Sequence, residues 1–167
     1  MRYNYETKSL HKLVSQMQSL TRNSFLTSFE WFQELVGGKN LILRHTSALE
    51  CLELFVGYFH EKVIDVYARE KGECENINYY VVDTFNGIDI VRKGNLLCTS
   101  VNQTFNDMLS KYGTPEENTI DEQSLLEGLS DYYFSHNKSF DGLLIKPEYK
   151  ERFDILKEWA MEYYDYT

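Results

Sequence analysis

Three aspartates, Asp65, Asp83 and Asp89, lie in stretches that read as strands. Carboxylates carried on neighbouring strands and turned to one face can hold Mg²⁺ for phosphoryl or nucleotidyl transfer. That chemistry needs adjacent strands, a shared face and the Gly-Ser lead-in of a nucleotidyltransferase, and the lead-in is missing. Solvent-facing strand polars account for the three residues more simply. Ser47, Thr99 and Ser100 carry hydroxyls that could act as nucleophiles. Each stands where a helix N-cap is expected, and capping uses the hydroxyl fully. Asp107 follows Thr104 by about one helical turn and has no histidine at a spacing that would make an acid–base pair. The four histidines, His11, His45, His60 and His136, form no His-x-x-x-His pair, and Cys51, Cys74 and Cys98 show no metal-ligand spacing. Glycine-rich phosphate loops are absent. The sequence therefore points to no catalytic residue, no metal and no cofactor.

The elements that position these residues are organised around 95–112. Leu96 to Cys98 reads as a short buried strand. Ser100 with Gln103 has capping-box spacing, and Val101, Phe105, Met108, Leu109 and Tyr112 share one helical face. Upstream, Leu10, Leu13, Val14, Met17 and Leu20 predict a first helix over about 7–21. Thr27 and Glu30 would cap a second helix that Gly37-Gly38 ends. Leu41 to Leu43 is a brief apolar run. Ser47 with Glu50 repeats the capping-box spacing ahead of Ala48, Leu49, Leu52, Phe55 and Val56. Residues 62–70 alternate as a strand and 79–85 form another. Asn86-Gly87 is the strongest hairpin signal, leading into 88–91. Thr119 and Glu122 predict a further cap, with Leu125, Leu126, Leu129 and Tyr133 on one face of a helix reaching about Phe134. Pro147 suits the first turn of a last helix bearing Tyr149, Phe153, Leu156, Ala160 and Tyr163. The expected fold class is α+β: an antiparallel β-meander of about four strands packed with helices, preceded by two N-terminal helices. Residues 1–167 read as a single domain, with 1–39 an N-terminal helical subregion.

Charge narrows the function. The chain carries a net charge of -9. Through Arg44 six basic residues face three acidic ones, a balance of +3, which leaves -12 for the remainder. An acidic body repels nucleic acid. The second helix offers Ser28, Glu30, Gln33 and Glu34, where a recognition helix would present basic and amide groups. A DNA-binding regulator using the basic front is thus an alternative that the charges argue against. A metal-dependent transferase using Asp65, Asp83 and Asp89 is a further one. Odd, distant cysteines, the lack of a spanning apolar run and the lack of a signal-peptide pattern lead to the expectation of a cytoplasmic, acidic protein with no membrane contact.

With these residues placed, a family resemblance can be stated. Leu43-Arg-His-Thr-Ser-Ala-Leu-Glu-Cys-Leu-Glu-Leu, containing Ser47, Ala48 and Leu49, resembles the Ser/Thr-Ala-Leu helix of abortive-infection antitoxins of the AbiEi type. Lys62-Val-Ile-Asp-Val-Tyr is similar to the strand that follows it. Cys98-Thr-Ser-Val-Asn-Gln-Thr-Phe-Asn-Asp-Met-Leu resembles the family's Thr-Ser-x-x-Arg-Thr-x-x-Asp-x-Leu motif. Thr99, Ser100, Thr104, Asp107 and Leu109 match, and Gln103 stands where arginine is usual. The resemblance runs from about Leu41 to the C-terminus. It implies a non-enzymatic antitoxin of a type IV toxin–antitoxin, phage-defence system. The implied partner is a cognate nucleotidyltransferase-like toxin, which such antitoxins need not touch. The N-terminal winged helix usual in the family has no counterpart in the front of this sequence.

Overall fold

A computed structural model describes residues 28–57 and 63–165. The helix expected over about 7–21, the cap at Thr27 and Lys62 lie outside these residues. The first described helix, α1, is Ser28–Val36. It stops where Gly38 takes a φ of 73° and donates its N–H to the Asn95 carbonyl at 3.0 Å. Strand β1, Ile42–Leu43, leads directly into α2, His45–Cys51. Strands β2, Ile64–Ala68, and β3, Ile77–Val81, follow, then β4, Ile90–Lys93, and β5, Leu96–Thr99. Three further α-helices follow: α3, Val101–Leu109, α4, Glu122–Ser135, and α5, Lys150–Glu162.

The class is α+β, but the sheet departs from the expected meander. It has five strands in the order β3-β2-β1-β5-β4. β1 pairs antiparallel with β2 and parallel with β5; β2 pairs parallel with β3, and β4 antiparallel with β5. The brief run Leu41–Leu43 supplies the central strand. Both β1 residues are fully buried, as two flanking strands and a layer of helices require. Asn86-Gly87 joins no hairpin. Gly87 alone of the pair has positive φ, 89°, and Ile88 N–H donates to the Phe85 carbonyl at 3.1 Å. This is the pattern of a type II turn, not the type I′ turn of a two-residue hairpin. The turn lies in the segment 82–89, which carries the chain from β3 at one edge to β4 at the other. The true hairpin is β4–β5, where Lys93 pairs with Leu96 and Gly94 at φ 65° opens the two-residue loop.

Two apolar clusters sit on the two sides of α2. Phe32, Val36, Ala48, Cys51, Ile64, Val66, Ala68, Leu96 and Cys98 pack α1 and α2 on the sheet. Leu49, Phe105, Met108, Leu125, Leu129, Phe153 and Leu156 pack α2 with α3, α4 and α5. Ala48 and Leu49, adjacent in sequence, therefore face different clusters. Close approach on the helical side needs Gly128: a Cβ there would stand 3.1 Å from both Leu49 methyl carbons. Cys51, Cys74 and Cys98 are free thiols. Among the described residues, no helix is long and apolar enough to cross a membrane.

Candidate functional site

The site forms where β5 hands the chain to α3. Leu96 and Cys98 are anchored in the core, Thr99 is fully buried beside them, and Ser100 is the first residue at the rim. Ser100 has extended backbone and its Oγ accepts from the Gln103 N–H at 3.1 Å, the expected N-cap. The reciprocal half of a capping box is not made. Ser100 N–H instead donates to the Asp89 carbonyl at 2.9 Å. The Gln103 amide turns outward: Oε1 accepts from Asp89 N–H at 2.9 Å, and Nε2 donates to Asp107 Oδ1 at 2.9 Å. The position where the resembled motif carries arginine thus still reaches Asp107, through a neutral amide.

The second Asp107 oxygen, Oδ2, accepts from the Tyr67 hydroxyl at 2.7 Å. Burial first, and then the Asp107 charge, push Tyr67 ionisation well above the ordinary range, so the phenol stays protonated and donates. Thr104 Oγ1 donates to the Ser100 carbonyl at 2.7 Å and lies 2.6 Å from Thr99 Oγ1. Since Thr104 has one proton to give, Thr99 is the donor in that contact. Thr99, Ser100, Thr104 and Asp107 are therefore brought together, each with its polar atoms turned to a neighbour.

Ser47, Ala48 and Leu49 lie on α2, behind this junction. The expected Ser47–Glu50 capping box is absent. The helix begins three residues earlier, at His45, with Arg44 as its N-cap residue and no side-chain cap. Ser47 Oγ accepts from Asp65 N–H at 2.9 Å, and Thr46 Oγ1 meets Ser124 Oγ at 2.7 Å. Glu50 Oε2 accepts from Gly57 N–H at 3.1 Å. The Thr119–Glu122 box is likewise displaced. Asp121 caps α4, accepting from Gln123 and Ser124 N–H groups, while Thr119 Oγ1 donates to the Glu116 carbonyl. An ionised carboxylate is the better acceptor for exposed helix N–H groups.

Asp65 lies on β2, where Oδ1 accepts from Asn78 Nδ2 at 3.1 Å. Asp83 and Asp89 lie in the 82–89 crossing and not on strands. Among the described residues there is no group of three or more His, Cys, Asp or Glu that could hold a metal ion.

The residues that sequence reasoning passed over are Arg44, His45, Tyr80 and Lys111. The Arg44 guanidinium sits 4.6 Å from the Tyr67 ring centroid and 4.3 Å from that of Tyr80. Its Nη2 lies 2.9 Å from His45 Nε2. Arginine only donates, so Nε2 is the acceptor and the imidazole proton sits on Nδ1. His45 is held neutral: burial, then the Arg44 and Lys111 charges, push its pKa down to about 3. Its φ of 50° is left-handed, an uncommon backbone for a non-glycine residue. The one local signal was a polar Arg-His pair set between the apolar run of β1 and an apolar helix. The aromatic rings that receive Arg44 lie far away in sequence.

Comparison with family models, with curated proteins and with solved structures finds no match to this chain.

Proposed function

We propose that this protein is a non-enzymatic antitoxin of the AbiEi-like kind, acting in the cytoplasm within an abortive-infection system and countering a nucleotidyltransferase-like toxin. The observation that carries the reading is the fate of the motif residues. Thr99, Ser100, Thr104 and Asp107, which carry the resemblance, converge on one strand-to-helix junction. There Asp107 is gripped by Tyr67 and Gln103. Groups spent in this way brace a backbone; a nucleophile or general base would need a free lone pair directed at a substrate. Function then resides in the surface that the braced junction supports. The acidic body suits a basic protein surface.

The test is co-expression with a nucleotidyltransferase-fold toxin encoded next to this protein. Growth restored by the intact chain, with the toxin independently shown to be active, is the expected result. Continued arrest under those conditions removes the reading.

A further inference from the structure

Strands β2 and β3 run parallel, yet only residues 69–76 join them. A parallel pair is ordinarily connected by a crossover of a dozen or more residues, usually a helix that covers the sheet. This connection holds no helix. Between it and the end of α1 lies a groove of about 440 Å³. That volume falls within the roughly 300–1,000 Å³ of small-molecule sites.

Floor and rim differ in chemistry. Leu35, Leu41, Ile77 and Tyr79 line the groove with apolar surface continuous with the sheet-side cluster. Lys39, Arg69 and Lys71 line it with three positive charges, against the single acid Glu70. Among the described residues the ion pairs join Lys111 to Glu116 and Lys157 to Asp154, so none of the three cations is held by a carboxylate. Scattered surface lysines and arginines are ordinary. Here they meet at one concavity over an apolar floor, in a chain of net charge -9.

The walls are fixed before any ligand arrives. Cys74 N–H donates to the Tyr79 hydroxyl at 3.3 Å, and Ile77 N–H donates to the Cys74 carbonyl at 3.2 Å, which ties the connection back onto β3. Gly72 permits that approach, since a Cβ there would collide with the Tyr79 ring and hydroxyl. On the facing wall Lys39 N–H donates to the Val36 carbonyl at 3.1 Å. A ligand entering the groove therefore has little backbone to order.

We propose that this groove binds a phosphate monoester with an aromatic body, the phosphate held by Lys39, Arg69 and Lys71 and the ring laid on the apolar floor. A dianion suits three cations better than a lone carboxylate does, and the arginine fork takes two of its oxygens. An aromatic body takes its apolar area out of water against Leu41 and Tyr79. Mononucleotides and simple aryl phosphates share this chemistry. The site concerns the purified protein and a small ligand, so it stands or falls apart from the antitoxin reading.

The experiment is calorimetric titration of the folded protein with adenosine monophosphate and with phenyl phosphate, beside adenosine and inorganic phosphate, at low ionic strength. Saturable binding of at least one ester is expected, with adenosine and inorganic phosphate each several-fold weaker because each offers half of the ligand. The tighter ester assigns the size of the body. Arg69→Gln and Lys71→Gln replace exposed side chains and leave the core intact. Each should weaken binding several-fold, and the double variant should abolish it. Cys74 reports the location: it lines the groove half-buried, whereas Cys51 and Cys98 are buried. Bound ester should slow alkylation of Cys74 in the native protein, followed by mass spectrometry. The proposal is overturned if neither ester saturates, if inorganic phosphate binds as tightly as the esters, if the double variant binds like wild type, or if bound ester leaves Cys74 alkylation unchanged.

Discussion

Tyr67 on β2 donates a hydrogen bond from its hydroxyl to Asp107 on α3 across 2.7 Å, tying sheet to helix at the one carboxylate of the polar cluster. Both groups are largely out of water, and a hydrogen bond to a charged acceptor is worth about 1.5–3 kcal/mol. Tyr67→Phe keeps the ring under Arg44 and deletes only the donor. Its unfolding free energy should fall by that amount, read as a lower urea midpoint at an unchanged slope; an unchanged midpoint would show that the bond contributes nothing. The native tyrosine has its ionisation raised above the unfolded value of 10.0. The unfolded chain therefore loses this proton first, and the stabilisation present below that value is lost as pH rises past it. Tyr67→Phe should lose less stability on the alkaline side than the wild type.

His45 sets the acid limb. Its pKa is pushed from 6.5 down to about 3, by burial first and by Arg44 and Lys111 next. Below 6.5 the unfolded chain takes up a proton that the folded chain refuses. The contribution is thus present above 6.5 and lost as pH falls towards about 3, at up to about 1.4 kcal/mol per pH unit. Asparagine tolerates left-handed backbone, so His45→Asn keeps the turn and removes the titration. Denaturant midpoints measured through this window should fall for the wild type and stay flatter for His45→Asn. Parallel curves would contradict the assignment.

Asn106 fastens the segment before α5. Its Nδ2 donates to the carbonyls of Asn102 at 2.8 Å and Leu144 at 2.9 Å, and its Oδ1 accepts from Lys146 N–H at 2.8 Å. Asn106→Ala removes all three bonds from partly buried groups. A loss of about 1–3 kcal/mol is expected, with faster amide exchange at Lys146 as the local signature. Exchange at Lys146 equal to wild type would show that the clamp is idle.

Gly128→Ala pits helix propensity against packing. Alanine gains about 1 kcal/mol in a helix interior. Its Cβ would meet both Leu49 methyl carbons at 3.1 Å and the Phe105 ring at 3.3 Å, and both neighbours are fully buried. Overpacking costs about 1–3 kcal/mol, so the thermal midpoint should drop. A rise would mean that Leu49 can move aside.

Local features were legible in the sequence where one short stretch decides them. The Ser100 cap, the existence of β2 and the apolar faces of α3 and α5 belong to this group; on α4 the buried aromatic is Tyr132, one residue from the expected Tyr133. Strand order was not legible. Asn86-Gly87 specifies a turn, but nothing in the dipeptide says that the strands beside it belong to opposite sheet edges. The two residues of β1 become central only through partners supplied by β2 and β5. Ser47 and Thr119 have the spacing of caps, yet Asp65 N–H claims the first hydroxyl and Asp121 outcompetes the second. The polar motif was found because its residues lie close together in one stretch, 99–107. The Arg44 cluster was missed because Tyr67, Tyr80 and Lys111 reach it from separate elements.

The most direct measurement is growth rescue from the toxin per folded molecule, for Ser100→Ala, Thr104→Ser and Asp107→Asn beside the wild type. If these side chains brace the fold, rescue by every variant follows the amount of folded protein along a single line through the wild type. A variant that folds to wild-type levels and fails to rescue would contradict this, because its side chain would then be acting beyond the brace.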